Sequence, residues 1–309
     1  MTLAETFDGV RVRAPGKINL FLEVGALQPD GYHELATAFQ AVSLYEDLVA
    51  TPSDDFTIEV SGTVDVSGVP TDDRNLALRA ARLLAAETGH PGGVHLDVRK
   101  EVPVAGGMGG GSADAAAALV ACDALWGTGL SMRQLHALGA RLGADVPFAL
   151  QGGTAVGSGR GDRLSPALAR GRFEWVIVPN PDGLSTPEVY AELDRQREGG
   201  GAVVPAPAEV PVVDPDVLHA LVAGDARRLA GALANDLQAP ALRMRRDLAE
   251  VLDLGEREGA LAGIVSGSGP TLAFLAESAE DARGLQQMFA RRGHEALHVS
   301  APAHGARVV

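Results

Sequence analysis

The segment PVAGGMGGGSADAAAAL, residues 103–119, restricts this chain more than any other: five glycines fill the six positions around Met108, and an alanine run follows at once. Glycine loses the most backbone freedom on folding and brings no side chain to pack. Such a loop is best explained by something that must come close to the main chain, the alternative being a tightly packed connection. Two phosphate-binding patterns are excluded by the residues themselves. A P-loop ends in Gly-Lys-Ser/Thr, and this loop contains no lysine. The dinucleotide pattern fails too, because the place of its third glycine falls on Ser112 when counted from Gly107 and on Asp114 when counted from Gly109. Their shared physics remains available: consecutive glycine N–H groups converge on one concave spot, and a following helix adds roughly half a positive charge at its start. The alanine run predicts that helix over 113–125. Ser112 either caps it or turns its hydroxyl toward a phosphate or a magnesium ion.

An anionic ligand would have to be held by local features of this kind, because the 309-residue chain has a net charge of −14. That balance argues against a general nucleic-acid or membrane-surface binder, which needs a basic face. Length and a 46% hydrophobic content suit a folded protein of two domains. The one cysteine, Cys122, excludes an intramolecular disulfide framework and falls on an apolar helical pattern, where a buried structural thiol is expected. With no signal-type leader in MTLAETFDGV and no run of apolar residues long enough to span a bilayer, a cytoplasmic location is expected. Only two lysines, Lys17 and Lys100, survive among 26 basic residues, so each invites a functional reason. The eight histidines are scattered and HExxH is absent, so no built-in metal site is expected.

Along the chain, alternating residues predict a strand through Val10, Val12 and Ala14, a turn at Pro15–Gly16 and a second strand, INLFLEVG. Strands follow in 38–52 and 55–62, a helix over 74–89 and a strand in VHLDVRKEVPV. Beyond the glycine loop come the alanine helix and a helix over 131–143. A strand at 173–181, a short helix in STPEVYAELDRQ, and a Pro/Gly-rich linker in 199–213 mark a second half. Helices around 215–235, 239–258 and 279–292 accompany a strand-turn-strand, GIVSGSGPTLAFL, and a last strand near 295–300. The expected domains are 1–165 and 166–309.

Three segments, APGKINLFLEVG, PVAGGMGGGSADAAAAL and VSGSGPTLAFL, resemble the signatures of the GHMP small-molecule kinases, the family of galactokinase, homoserine kinase and mevalonate kinase. DGYHEL and GADVPFAL place the resemblance in the branch whose acceptor carries a cytidine. The five motifs run in order from about residue 10 to residue 276. The resemblance implies an α+β, two-domain GHMP kinase fold: a ribosomal-protein-S5-like N-terminal domain with a left-handed β-α-β element, and a C-terminal α/β sandwich. It implies an ATP-dependent kinase whose Mg²⁺ arrives with the nucleotide. The acceptor would be a cytidine diphosphate-linked methylerythritol, phosphorylated on its 2-hydroxyl in non-mevalonate isoprenoid synthesis. A homoserine- or mevalonate-type kinase, or a non-catalytic relative, is the alternative, and neither acceptor of those kinases offers a cytosine for DGYHEL to hold.

The site residues follow by the same resemblance. Asp145 would be the general base, although an aspartate there is as well suited to capping the VPFAL helix. Lys17 would stand beside it, keeping the carboxylate ionised and polarising the hydroxyl. Pro103, Val104, Ala105, Gly106, Gly107, Met108, Gly109, Gly110, Gly111, Ser112 and Ala113 would wrap the ATP phosphates. Lys100 or Arg99 would lie near the nucleotide and Asn75 near its adenosine end. Ser266–Gly269 is either a plain hairpin turn or a neighbour of the nucleotide. Tyr32 and His33 would hold the cytosine, with Thr186 supplying a hydroxyl, Tyr190 a second aromatic ring, and Asn19 facing the acceptor.

Overall fold

The computed structural model describes residues 8–199 and 206–309, so that part of the predicted linker, 200–205, lies outside the described residues. The chain opens with a long antiparallel pair, β1 (Val10–Leu27) and β2 (His33–Ser53). The predicted turn at Pro15–Gly16 is absent: β1 runs through it, with a register shift between Pro15 and Lys17. The Pro-Gly break in the pattern thus marks a bulge, which re-aims one side chain without ending the strand.

Next, β3 (Phe56–Gly62), α1 (Leu76–Thr88) and β4 (Gly93–Lys100) form a parallel β-α-β crossover. The glycine loop leaves the end of β4 and enters α2 (Gly110–Trp126). Helix α2 starts three residues before its predicted start, so Ser112 lies inside its first turn and is not its cap; Gly109, at φ 71°, takes the cap position. A run of glycine hides a helix start because glycine joins the first turn as readily as it leaves it. Mostly alanine and largely apolar, α2 packs among α1, the first sheet, α3 (Met132–Leu142) and α4 (Val146–Gln151). Cys122 is fully buried there, and burial pushes its thiol up.

A hairpin, β5 (Thr154–Ser158) and β6 (Arg163–Pro166), adds to β2. After it come β7 (Phe173–Val178), α5 (Thr186–Glu198), α6 (Pro215–Ala223), α7 (Ala226–Ala232) and β8 (Ala234–Asn235). The chain continues through α8 (Gln238–Met244), α9 (Arg246–Arg257), β9 (Ala262–Val265), β10 (Leu272–Ala276), α10 (Ala279–Arg291), β11 (Leu297–Ala301) and β12 (Arg307–Val308).

Two sheets result. The first has the order β12-β1-β2-β4-β3, with β5 and β6 extending from β2 and β8 lying parallel to β1; the second is antiparallel, β11-β7-β10-β9. Strand β7 is covered on both faces: Phe173, Trp175 and Ile177 join a core shared with Ile18 and Leu20 of β1, while Val176 and Val178 face α5, α9 and α10. The first of these cores ties the two halves together. The expected boundary at 165/166 falls within β6, and β8 and β12 return from the second half to the first sheet. Residues 303–309 run along α4: Gly153 N–H donates to Ala303, Ala306 N–H donates to Ala149, and Val309 N–H donates to Arg11.

Candidate active site

The bulge in β1 aims Lys17 at Asp145, the residue that opens α4. Lys17 Nζ lies 3.8 Å from Asp145 Oδ2 and donates a 2.7 Å hydrogen bond to Asn19 Oδ1. Asn19 donates to Thr37, whose hydroxyl donates to the carbonyl of Phe21, so the ammonium is held by a buried chain of bonds anchored in the sheet. Asp145 has the N-cap position of α4 but makes no side-chain capping bond, and a third of its side chain is exposed. The capping reading is thereby removed, and a carboxylate free on one side faces an ammonium.

The glycine loop is fixed to this pair. Lys17 N–H donates 2.9 Å to the carbonyl of Met108. A Cβ on Gly107, at φ 76°, would come 2.1 Å from the Ser266 carbonyl, so the loop lies directly on the Ser266–Gly269 turn. The Ser266 hydroxyl donates to the Gly107 carbonyl, and Asn235 donates to the carbonyls of Val265 and Gly267. The segment is a hairpin turn, since Gly269 N–H bonds back to Ser266, and it packs directly against the glycine loop.

Beneath the loop lies a 380 Å³ cavity lined by Pro103–Gly107, Gly109–Ser112, Asn75, Lys100 and Asp114. Met108 and Ala113, grouped with the loop in sequence, point instead into the two cores. Asn75 is occupied as the cap of α1 and as a donor to Pro70, while Arg99 lies exposed on β4. Lys100 is almost wholly buried, and its Nζ reaches Glu46 Oε1 at 2.9 Å and Asp114 Oδ2 at 2.5 Å. Glu46 Oε2 accepts from the N–H of Glu101, whereas Asp114 Oδ1 is buried without a hydrogen-bond partner. Burial, with the Asp114 charge added, pushes the Glu46 carboxyl up to about 8. Burial lowers the Lys100 pKa, but Asp114 and Glu46 outweigh it and raise it overall.

On the other side of the Lys17–Asp145 pair, a 940 Å³ groove is lined by Tyr32, His33, Thr186, Pro187, Tyr190 and Arg160, among others. His33 Nε2 lies 3.0 Å from Asp194 Oδ1, and its ring sits 5.2 Å from that of Tyr190. Burial, with Asp145 and Asp236 adding, holds the Tyr190 hydroxyl above its usual range. The Tyr32 ring is exposed, with the Arg160 guanidinium 3.7 Å above it; Arg160 also bonds Asp30. Thr186 and Ser268 share a 2.8 Å bond. Sequence reasoning passed over Asp194, Arg160, Asn235 and Thr37. Arg160 alone carried a signal, a bulky cation between two glycines in GSGRGD.

A third space, of 330 Å³, joins the other two. It is lined by Gly107, Gly109 and Ser112 from the loop, by Lys17, Asn19 and Asp145, and by Thr186, Tyr190 and Arg160 from the groove. A group held in the groove and an anion held by the loop therefore meet over one ammonium and one carboxylate.

Comparison with known proteins supplies the family. Residues 75–153 match the GHMP kinases N terminal domain, and residues 217–295 match the GHMP kinases C terminal domain. A protein of Leifsonia xyli subsp. xyli named 4-diphosphocytidyl-2-C-methyl-D-erythritol kinase is 59% identical over 303 residues, covering 98% of this chain and 99% of its own. The protein of that name from Clavibacter michiganensis subsp. michiganensis is also 59% identical, with 99% and 98% covered. A crystal structure of 4-(cytidine 5'-diphospho)-2C-methyl-D-erythritol kinase superposes with a TM-score of 0.76 at 33% identity, over 95% of this chain and 99% of that one. Homoserine kinase from Cytophaga hutchinsonii shares the fold, at a TM-score of 0.71 and 16% identity over the whole of both chains.

Proposed function

The chain belongs to the 4-diphosphocytidyl-2-C-methyl-D-erythritol kinases within the GHMP kinases, and on that premise we propose that it moves a phosphoryl group from ATP to the 2-hydroxyl of 4-diphosphocytidyl-2-C-methyl-D-erythritol. The step belongs to non-mevalonate isoprenoid synthesis. The observation that carries this reading is the joining space itself, bordered at once by the loop, the Lys17–Asp145 pair and the aromatic groove.

Phosphoryl transfer asks for an in-line arrangement, charge neutralisation and acceptance of one proton. Asp145 takes the proton of the acceptor hydroxyl. Lys17 faces that carboxylate and draws charge from the hydroxyl oxygen, its own position set by Asn19. The loop amides and the start of α2 bind the phosphates, and Gly109 lets the main chain approach them. Tyr32, His33 and Tyr190 hold the cytosine, with Asp194 fixing the His33 ring, and Thr186 and Asn19 face the rest of the acceptor.

Among the described residues, the one trio of metal-type ligands is Glu59, His95 and Asp97, on β3 and β4. Magnesium is proposed to come with the nucleotide, where it would neutralise phosphate charge. Among the described residues no helix is long and apolar enough to cross a membrane. The single cysteine, a buried free thiol, suits a reducing compartment, and a cytoplasmic location is proposed on that ground.

The test is ADP release with ATP, Mg²⁺ and the cytidylylated acceptor, beside the same acceptor stripped of its cytidine, with Asp145→Ala as the blank. Turnover of the cytidylylated acceptor alone is expected. Equal turnover of both would remove the groove from the reading, and turnover of homoserine instead would overturn it.

A further inference from the structure

We propose that Lys100 serves nucleotide binding without touching the nucleotide: its ammonium cancels the Asp114 carboxylate just inside α2, leaving the start of that helix free to attract phosphate. Lys100 is on this view a positioning residue. The proposal rests on the reading that ATP phosphates lie on the glycine loop.

Four observations carry it. First, Lys100 is committed elsewhere, its Nζ lying between two buried carboxylates at 2.9 and 2.5 Å with only 3% of its side chain exposed. Turning to a ligand would leave both buried carboxyl groups without their shared donor, a penalty that one bond to a phosphate would not offset. Second, Asp114 depends on it: one carboxylate oxygen accepts from Lys100 and the other is buried with no partner. Third, Asp114 borders the same cavity as the loop glycines and stands four residues into α2. An uncancelled carboxylate there would oppose the helix's partial positive charge and repel a phosphate through poorly screened surroundings. Fourth, the cluster is built against the helix start itself, since a Cβ on Gly110 would come 2.9 Å from Glu46 Oε1.

The charge balance within the cluster agrees. Two carboxylates face one ammonium, and the charged residues on either side of Lys100 in the chain, Arg99 and Glu101, lie 3.6 Å from each other. Burial raises the pKa of both Glu46 and Asp114, and Lys100 pulls each of them down, so the ammonium is what favours a charged carboxylate in this cluster.

The experiment is calorimetric binding of Mg²⁺ and a non-hydrolysable ATP analogue to the full chain. Lys100→Met is expected to weaken binding about 30-fold, the scale of one uncancelled charge close to a phosphate. In the triple variant Lys100→Met/Glu46→Gln/Asp114→Asn there is neither a carboxylate to cancel nor an ammonium to cancel it. Its affinity should lie within about threefold of wild type, and it should fold, because neutral isosteres replace a buried ion cluster without large loss. A folded triple variant that binds about tenfold or more weaker than wild type would mean that Lys100 touches the nucleotide, and would overturn the proposal. So would wild-type affinity in a folded Lys100→Met protein. If Lys100→Met alone does not fold, the triple variant decides. Absence of binding by the wild-type chain counts against ATP at the loop, and not against this inference.

Discussion

Asp145 stands where a helix cap would stand and caps nothing, which leaves its carboxylate free for a proton. Asp145→Ala and Lys17→Ala are each expected to lower kcat by about 10²- to 10⁴-fold, the usual worth of a positioned acid or base, in proteins whose melting temperatures stay near the wild-type value. Steady-state ADP release beside thermal unfolding checks both. Lys17 was legible from sequence because lysine is nearly absent from the chain, whereas Asp145 could not be told from a cap until its missing hydrogen bond was seen. Glu46 carried no signal at all, being one acid among 40 acidic residues, and its partners come from two other elements. Its carboxyl, raised to about 8, holds a proton in the folded chain that the unfolded chain releases near its ordinary value. Stability contributed by that proton is complete at acid pH and is lost as pH rises through about 8. Glu46→Gln should therefore gain in melting temperature relative to wild type as pH rises from 5 to 9, and a constant difference across that range would contradict the assignment.

The elements around the glycine loop divide its glycines into two kinds. Gly107 is needed for packing: a Cβ there would meet the Ser266 carbonyl at 2.1 Å, at a φ that side chains avoid. Gly111 is exposed, and a Cβ there would meet only Leu76 at 3.7 Å. Gly107→Ala is expected to lower the melting temperature by several degrees, while Gly111→Val leaves it nearly unchanged and raises the KM for ATP about tenfold or more by crowding the phosphates. Unchanged ATP affinity in Gly111→Val would remove that face of the loop from the nucleotide. The same elements show where a sequence stops being informative. The strands and helix of the β-α-β unit were legible from their patterns, their crossover only from the family resemblance, and α2 from the alanine run behind the glycines. The early start of α2 was not, because glycine has no preference to read, and neither was the passage of β1 through Pro15–Gly16, because a bulge and a turn begin with the same residues.

Across the whole molecule, the reaction centre depends on a segment that sequence reasoning gave no role. Residues 303–309 brace α4, and through it Asp145, by backbone bonds to Gly153 and Ala149. Their removal is expected to lower the melting temperature by about 5 °C or more and to lower kcat with little change in the KM for ATP, since the loop is held by other contacts; an equal loss of both parameters would argue for general collapse instead. Two halves were legible from the composition shift, but not their interlacing, because β8 and β12 are two residues long and carry no period.

That interlacing sets an order on synthesis. Strand β1 is among the first parts of this sequence to leave the ribosome, yet its outer partners are β8 and β12, more than two hundred residues later. During translation it carries an open hydrogen-bonding edge beside apolar residues, the kind of surface that neighbouring nascent chains and chaperones capture. The strand that holds Lys17 is thus made early and sealed last.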